Sequence, residues 1–142
     1  MPNHHLVPSE SLLPGSIVRV SSSRLPVVMH WGVIDWDFDE HGQRKVWHSQ
    51  KSDVLRCTNF ASFSSGQPVE ILWVPSNYGQ QTSVIERLRT KEGLSWNLAT
   101  ANCEQVVRWA VEGKARSDQL ILGLGVALIA GTLVFLSRGT RK

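Results

Sequence analysis

The hydrophobic pattern of the chain changes period along its length. The first half carries short β-branched and aromatic runs broken by Pro, Gly and acidic turns. Residues 1–14, with Pro2, Pro8 and Pro14, read as a lead-in segment, and residues 15–21 have strand composition. Pro26 opens the strongest strand candidate, residues 27–36. The polar stretch 37–44 supplies a turn and residues 45–50 return as a partner strand, a hairpin signal. Residues 53–59 predict another strand and 62–68 a loop. Residues 69–74 follow, with Val69, Ile71 and Trp73 on one face until Pro75 ends the run. Beyond it the period becomes helical. Ser83 to Glu86 has capping-box form, Val84, Ile85 and Leu88 share a face, and Gly93 stands at the C′ position. A second helix is predicted over 103–112, with an apolar stripe of Val106, Val107, Ala110 and Val111 and Gly113 closing it. Strands gathered first and helices afterwards, without βαβ alternation, predict an α+β domain with an antiparallel sheet packed with helices.

The chain then turns apolar on all sides. From Leu120 to Leu136 there is no charge, the nearest being Asp118 and Arg138. As a helix this run spans roughly 26 Å, close to the roughly 30 Å hydrocarbon core of a bilayer. Residues 119–137 are therefore expected to form a C-terminal transmembrane anchor, followed by a basic tail over 138–142, with residues 15–118 as the folded domain ahead of it. Gly123, Ala127 and Gly131 recur every four residues. Small residues at this spacing let two helices approach closely and permit a homo-oligomer, although glycine and alanine are also common in such helices for no such reason.

Composition and charge narrow the function classes. The 142 residues suit one domain, and the formal charge of +3 is confined to the end, since residues 1–119 hold twelve Lys/Arg against twelve Asp/Glu. That distribution is a membrane-flank signature and argues against nucleic-acid binding, which spreads cations over one face. Two cysteines make no disulfide scaffold. The N-terminus lacks a cationic and an apolar signal region, so the domain is expected on the cytosolic side of its membrane.

The candidate chemistry centres on Cys103. It stands where loop gives way to helix, and the unpaired N–H groups of a first helical turn favour a thiolate and can hold an oxyanion near Cys103. His30 and His48 lie on the two strands of the predicted hairpin. One imidazole can take the thiol proton and a second can hold the first in the productive tautomer, provided the register brings them together. Each residue alone has a structural reading, and two His with one Cys could also bind zinc. No Cys-x-x-Cys or His-x-x-x-His pair is present, so neither metal nor cofactor is expected. His41 reads as solvated and Cys57 as a small buried strand residue.

Three spaced motifs, His30-Trp31-Gly32, the strand residue His48 and Asn102-Cys103-Glu104, together resemble the lecithin:retinol acyltransferase family, including its HRAS-like suppressor phospholipase/acyltransferase branch. The likeness continues through Gly113-Lys-Ala-Arg-Ser-Asp-Gln119 and covers roughly residues 12–138. Gln105-Val106 replaces the family's usual His-Phe, and the turn between the histidines is longer than in the animal enzymes. The resemblance implies a circularly permuted relative of the papain-like and NlpC-type fold, with Cys103 as nucleophile, His30 as base and His48 as orienting residue. It implies a thiol-dependent phospholipase A/acyltransferase working on membrane phospholipid through a thioester. A cysteine peptidase or amidase on the same scaffold, and a non-catalytic membrane-perturbing protein, are the alternatives.

Overall fold

A computed structural model describes residues 11–21, 29–49, 54–93, 95 and 103–113. The proposed anchor with Leu120, Gly123, Ala127, Gly131 and Leu136, the basic tail and Asn102 lie outside the described residues. Among the described residues, no helix is long and apolar enough to cross a membrane.

The elements run β1 (Ile17–Ser21), β2 (Met29–Phe38), β3 (Arg44–His48), β4 (Arg56–Thr58), α1 (Phe60–Ser64), β5 (Glu70–Trp73), α2 (Tyr78–Arg89) and α3 (Cys103–Glu112). The five strands form one antiparallel sheet in the order β4-β3-β2-β1-β5, so the architecture is α+β and the ten-residue β2 lies at its centre. Alternation along β2 buries Val33 on one face and Ile34 on the other. Val33 packs with Ile17, Trp47, Leu55 and the apolar stripes of α2 and α3. Ile34 packs with Val18, Val20, Val46, Phe63 of α1 and also Leu12, so the lead-in segment contributes to the core.

The hairpin and α3 form where the sequence places them. In the β2–β3 turn, Asp39 Oδ1 accepts from the N–H groups of His41 and Gln43, and Gly42 supplies the positive φ of 73°. Gly113 closes α3 with φ 73° and donates its N–H to the Trp109 carbonyl. Arg87 of α2 donates to the carbonyls of Ala110 and Val111, placing a cation at the negative end of α3.

Other expectations are corrected. The loop expected over 62–68 begins within α1, whose N-cap Asn59 accepts from the Ser62 N–H at 2.7 Å. The strand expected over 53–59 pairs with β3 only from Arg56 to Thr58. Helix α2 starts five residues ahead of Ser83: Asn77 Oδ1 accepts from Gln80 N–H, while Gln80 Oε1 accepts from the Ser76 N–H and hydroxyl. Gly93 is not its C′ residue, because the helix ends at Arg89 with Thr90 as cap; Gly93 instead donates its N–H to the Leu55 carbonyl. The true helix start gives a direct test. Asn77→Ala should lower stability by about 1 kcal/mol in urea unfolding, whereas Ser83→Ala, at an exposed mid-helix position, should leave it nearly unchanged.

Candidate functional site

His30 lies near the start of β2 and His48 ends β3. The register pairs Gly32 with His48 and Ile34 with Val46, so the two histidines share a sheet face as diagonal neighbours. Across that diagonal His30 Nε2 and His48 Nδ1 are 2.9 Å apart. The rings meet nearly edge-on, at 79°. Phe63 of α1 packs against both imidazoles, its centroid 5.2 Å from that of His30 and 5.5 Å from that of His48. A Cβ at position 32 would stand 2.6 Å from Val46 Cγ1 and 2.8 Å from Phe63 Cε2, which explains the glycine of the His-Trp-Gly motif. The second nitrogen of His48, Nε2, is 2.7 Å from the Thr58 hydroxyl on β4. That hydroxyl in turn donates to the Asn59 carbonyl at 3.4 Å.

Cys103 is the first residue of α3, and its Sγ donates to the Met29 carbonyl at 3.7 Å. The backbone N–H groups of Trp31, Glu104 and Cys103 itself lie close enough to favour a charged sulfur. Met29 and Trp31 flank His30 in the chain, so the thiol is set beside the β2 backbone at the level of the first histidine. Its partners among the described residues are backbone groups and not an imidazole nitrogen.

Electrostatics keep Cys103 and His30 neutral at rest. Burial pushes the Cys103 thiol above its ordinary range, against the pull of the N–H groups, and the Glu104 carboxylate adds to the upward push. The thiolate expected from the helix start is thus outweighed by desolvation. Burial also lowers His30, to about 4, so its imidazole is uncharged at neutral pH and able to accept a proton. Both groups therefore rest in their neutral forms and not as an ion pair.

Several supporting residues escape sequence reasoning. Glu104 is fully buried and accepts from Arg108 Nε at 3.1 Å, while the Arg108 guanidinium lies 5.6 Å from the centroid of Trp31. Arg108 thereby ties the Asn-Cys-Glu motif to the His-Trp-Gly motif, and its i,i+4 spacing from Glu104 was a usable signal. Thr58, Asn59 and Phe63 carry no comparable signal.

The remaining candidates stand apart. Cys57 donates to Asp35 Oδ2 at 3.5 Å, and burial followed by that carboxylate pushes its thiol far above the usual range, so it is unreactive. His41 is exposed in the hairpin turn. Among the described residues, no group of three or more His, Cys, Asp or Glu side chains converges as metal ligands would.

Comparison with models of protein families finds no match, and a search of curated proteins finds none significantly similar.

Two outcomes follow from the packing and charge. Gly32→Ala should lose about 1–3 kcal/mol in urea unfolding. Combining it with Phe63→Leu should cost less than the sum of the single changes, because the smaller side chain relieves the same clash. The His30 linkage has a definite sign. Between pH 6.5 and 4 the unfolded chain binds the proton that the folded one refuses, so this residue's contribution weakens stability as pH falls through that window. At pH 4.5 the loss attributable to His30 should be roughly 2–3 kcal/mol relative to pH 7. His30→Gln should abolish that share of the pH dependence in denaturant titrations.

Proposed function

We propose that this chain is a thiol-dependent phospholipase A/acyltransferase acting on the acyl esters of glycerophospholipids, with Cys103 as nucleophile, His30 as general base and acid, and His48 orienting His30. The observation that carries the reading is the 2.9 Å pairing of His30 with His48 on a hairpin against whose backbone the sulfur of a helix-leading cysteine rests. The same chain order, histidine strands before cysteine helix, supports a circularly permuted papain-like or NlpC-type arrangement and the resemblance to the lecithin:retinol acyltransferase family.

On this reading Sγ attacks the acyl carbonyl carbon while its proton passes to His30. Backbone N–H groups at the start of α3 hold the oxyanion. Collapse breaks the ester C–O bond, His30 returns its proton to the departing lysolipid oxygen, and a thioester on Cys103 remains. Water then releases a fatty acid, or an amine or alcohol acceptor takes the acyl group. No step requires a metal or cofactor. Residues 119–137 would tether this chemistry to its bilayer substrate, raising the effective concentration, with the domain facing the cytosol. The small-residue face of Gly123, Ala127 and Gly131 would allow two copies to associate.

The test is incubation with mixed-chain phosphatidylcholine followed by intact-protein mass spectrometry. An acyl mass on Cys103 that is absent from Cys103→Ala supports the reading, and His30→Ala should slow its formation by about 10²–10⁴-fold. If no adduct forms and peptide amides are cleaved instead, the protein is a peptidase or amidase. Full cellular activity of Cys103→Ala, lost on deleting residues 119–137, would establish a membrane-perturbing role without catalysis.

A further inference from the structure

The hydrogen-bond chain behind the histidines has a direction, and Thr58 decides it. His30 Nε2, His48 Nδ1, His48 Nε2 and Thr58 Oγ1 lie in series, with links of 2.9 and 2.7 Å. With both imidazoles neutral each carries one N–H, and the chain admits two arrangements. In the first, Thr58 accepts from His48 Nε2–H, His48 Nδ1 accepts from His30 Nε2–H, and His30 Nδ1 is left with its lone pair. In the second, every proton is reversed and His30 Nδ1 carries hydrogen, leaving it unable to receive one from a thiol.

The Asn59 carbonyl breaks the tie. The Thr58 hydroxyl has a single proton; directed at that carbonyl, 3.4 Å away, it leaves the hydroxyl oxygen to accept from His48. The first arrangement makes all three hydrogen bonds, whereas the second must give up the one to Asn59. The additional hydrogen bond, made beside the buried His48, favours the first arrangement. The anchor is itself fixed: Asn59 is the N-cap of α1, and its carbonyl also accepts from the N–H of Phe63, the residue packed against both rings. Among the described residues no hydrogen bond to His30 Nδ1 is formed, which leaves that nitrogen available. In β4 the register pairs Thr58 with Val46, two residues from His48 on the same strand, so the hydroxyl reaches the ring along the same sheet face.

We propose that Thr58 is a positioning residue: by accepting from His48 while donating to the Asn59 carbonyl, it fixes both histidines as Nε2–H tautomers and leaves His30 Nδ1 as the proton acceptor. The proposal rests on the catalytic reading above for its consequence, though not for the tautomers themselves. When His30 takes the Cys103 proton on Nδ1, the imidazolium retains its Nε2–H bond to His48, and no other proton has to move.

The experiment combines two readouts on the full chain, wild type, Thr58→Val and Thr58→Ser. Long-range ¹H–¹⁵N correlation of the imidazole nitrogens reports the tautomers directly, and acylation of Cys103 by p-nitrophenyl acetate, followed by mass, reports the rate. Wild type and Thr58→Ser should show both rings protonated on Nε2. Thr58→Val should show mixed tautomers at His48 and His30 and acylate about 10–100-fold more slowly, a loss of the size seen when orienting partners of a histidine are removed. His30 protonated on Nδ1 in the wild type, or tautomers unchanged in a folded Thr58→Val, would overturn the proposal. If the tautomers respond as stated but wild-type Cys103 is never acylated, the role of Thr58 stands and the enzymatic reading falls.

Discussion

The candidate site depends on the absence of a side chain at Gly32. That bare stretch of β2 lets Phe63 descend onto the sheet, where its ring lies against two hydrogen-bonded imidazoles and removes them from water. The desolvation that lowers His30 is therefore a direct product of how closely α1 approaches the central strand.

Burial acts in the same sense on both halves of the site. It disfavours a charged imidazole and a charged sulfur alike, so the neutral thiol and neutral imidazole are the resting state. A preformed ion pair would have to recover the desolvation cost of both charges through its own attraction, and such recovery is often incomplete in a protein interior. The N–H groups around Cys103 do not reverse that balance for a resting sulfur. On the proposed mechanism they become more valuable once negative charge passes to a substrate oxygen, because stabilisation confined to the transition state is what accelerates a reaction.

The sequence makes the parts of this arrangement legible to different degrees. Helix α3 is visible from Cys103 to Glu112 because its apolar stripe, polar face and terminal glycine agree. The hairpin is visible for the same reason: a β-branched run, an acidic turn with glycine, and a returning strand. Period-two alternation places His30 and Gly32 on one face, but it cannot fix the register. The ladder is irregular between Ile34 and Phe38, and only the pairing beyond that irregularity sets His48 opposite Gly32. Helix α1 is hidden because five residues with one capping side chain generate no periodic signal. The start of α2 is hidden because Gly79, Gln80, Gln81 and Thr82 carry no apolar stripe, leaving Asn77 as the only mark. Thr58 acquires its role solely from strand pairing between β3 and β4, a long-range contact that local propensity does not encode.

Glu104 shows why the cysteine motif cannot be read as a set of independent contributions. Its carboxylate is buried one residue from the sulfur and pushes the thiol upward, an effect that would by itself oppose nucleophilicity. Yet the same carboxylate holds Arg108 against the Trp31 ring. Trp31 belongs to the strand whose N–H reaches the sulfur, so Glu104 helps hold α3 in the place where that N–H is useful. Arg108 also lies near Glu112, 3.7 Å away, and shares its charge between two acids, one a turn before it and one a turn after. The unfavourable charge beside Cys103 is thus the consequence of an ion pair that ties the cysteine's helix to the histidine strand, and position is obtained at the expense of thiolate stability.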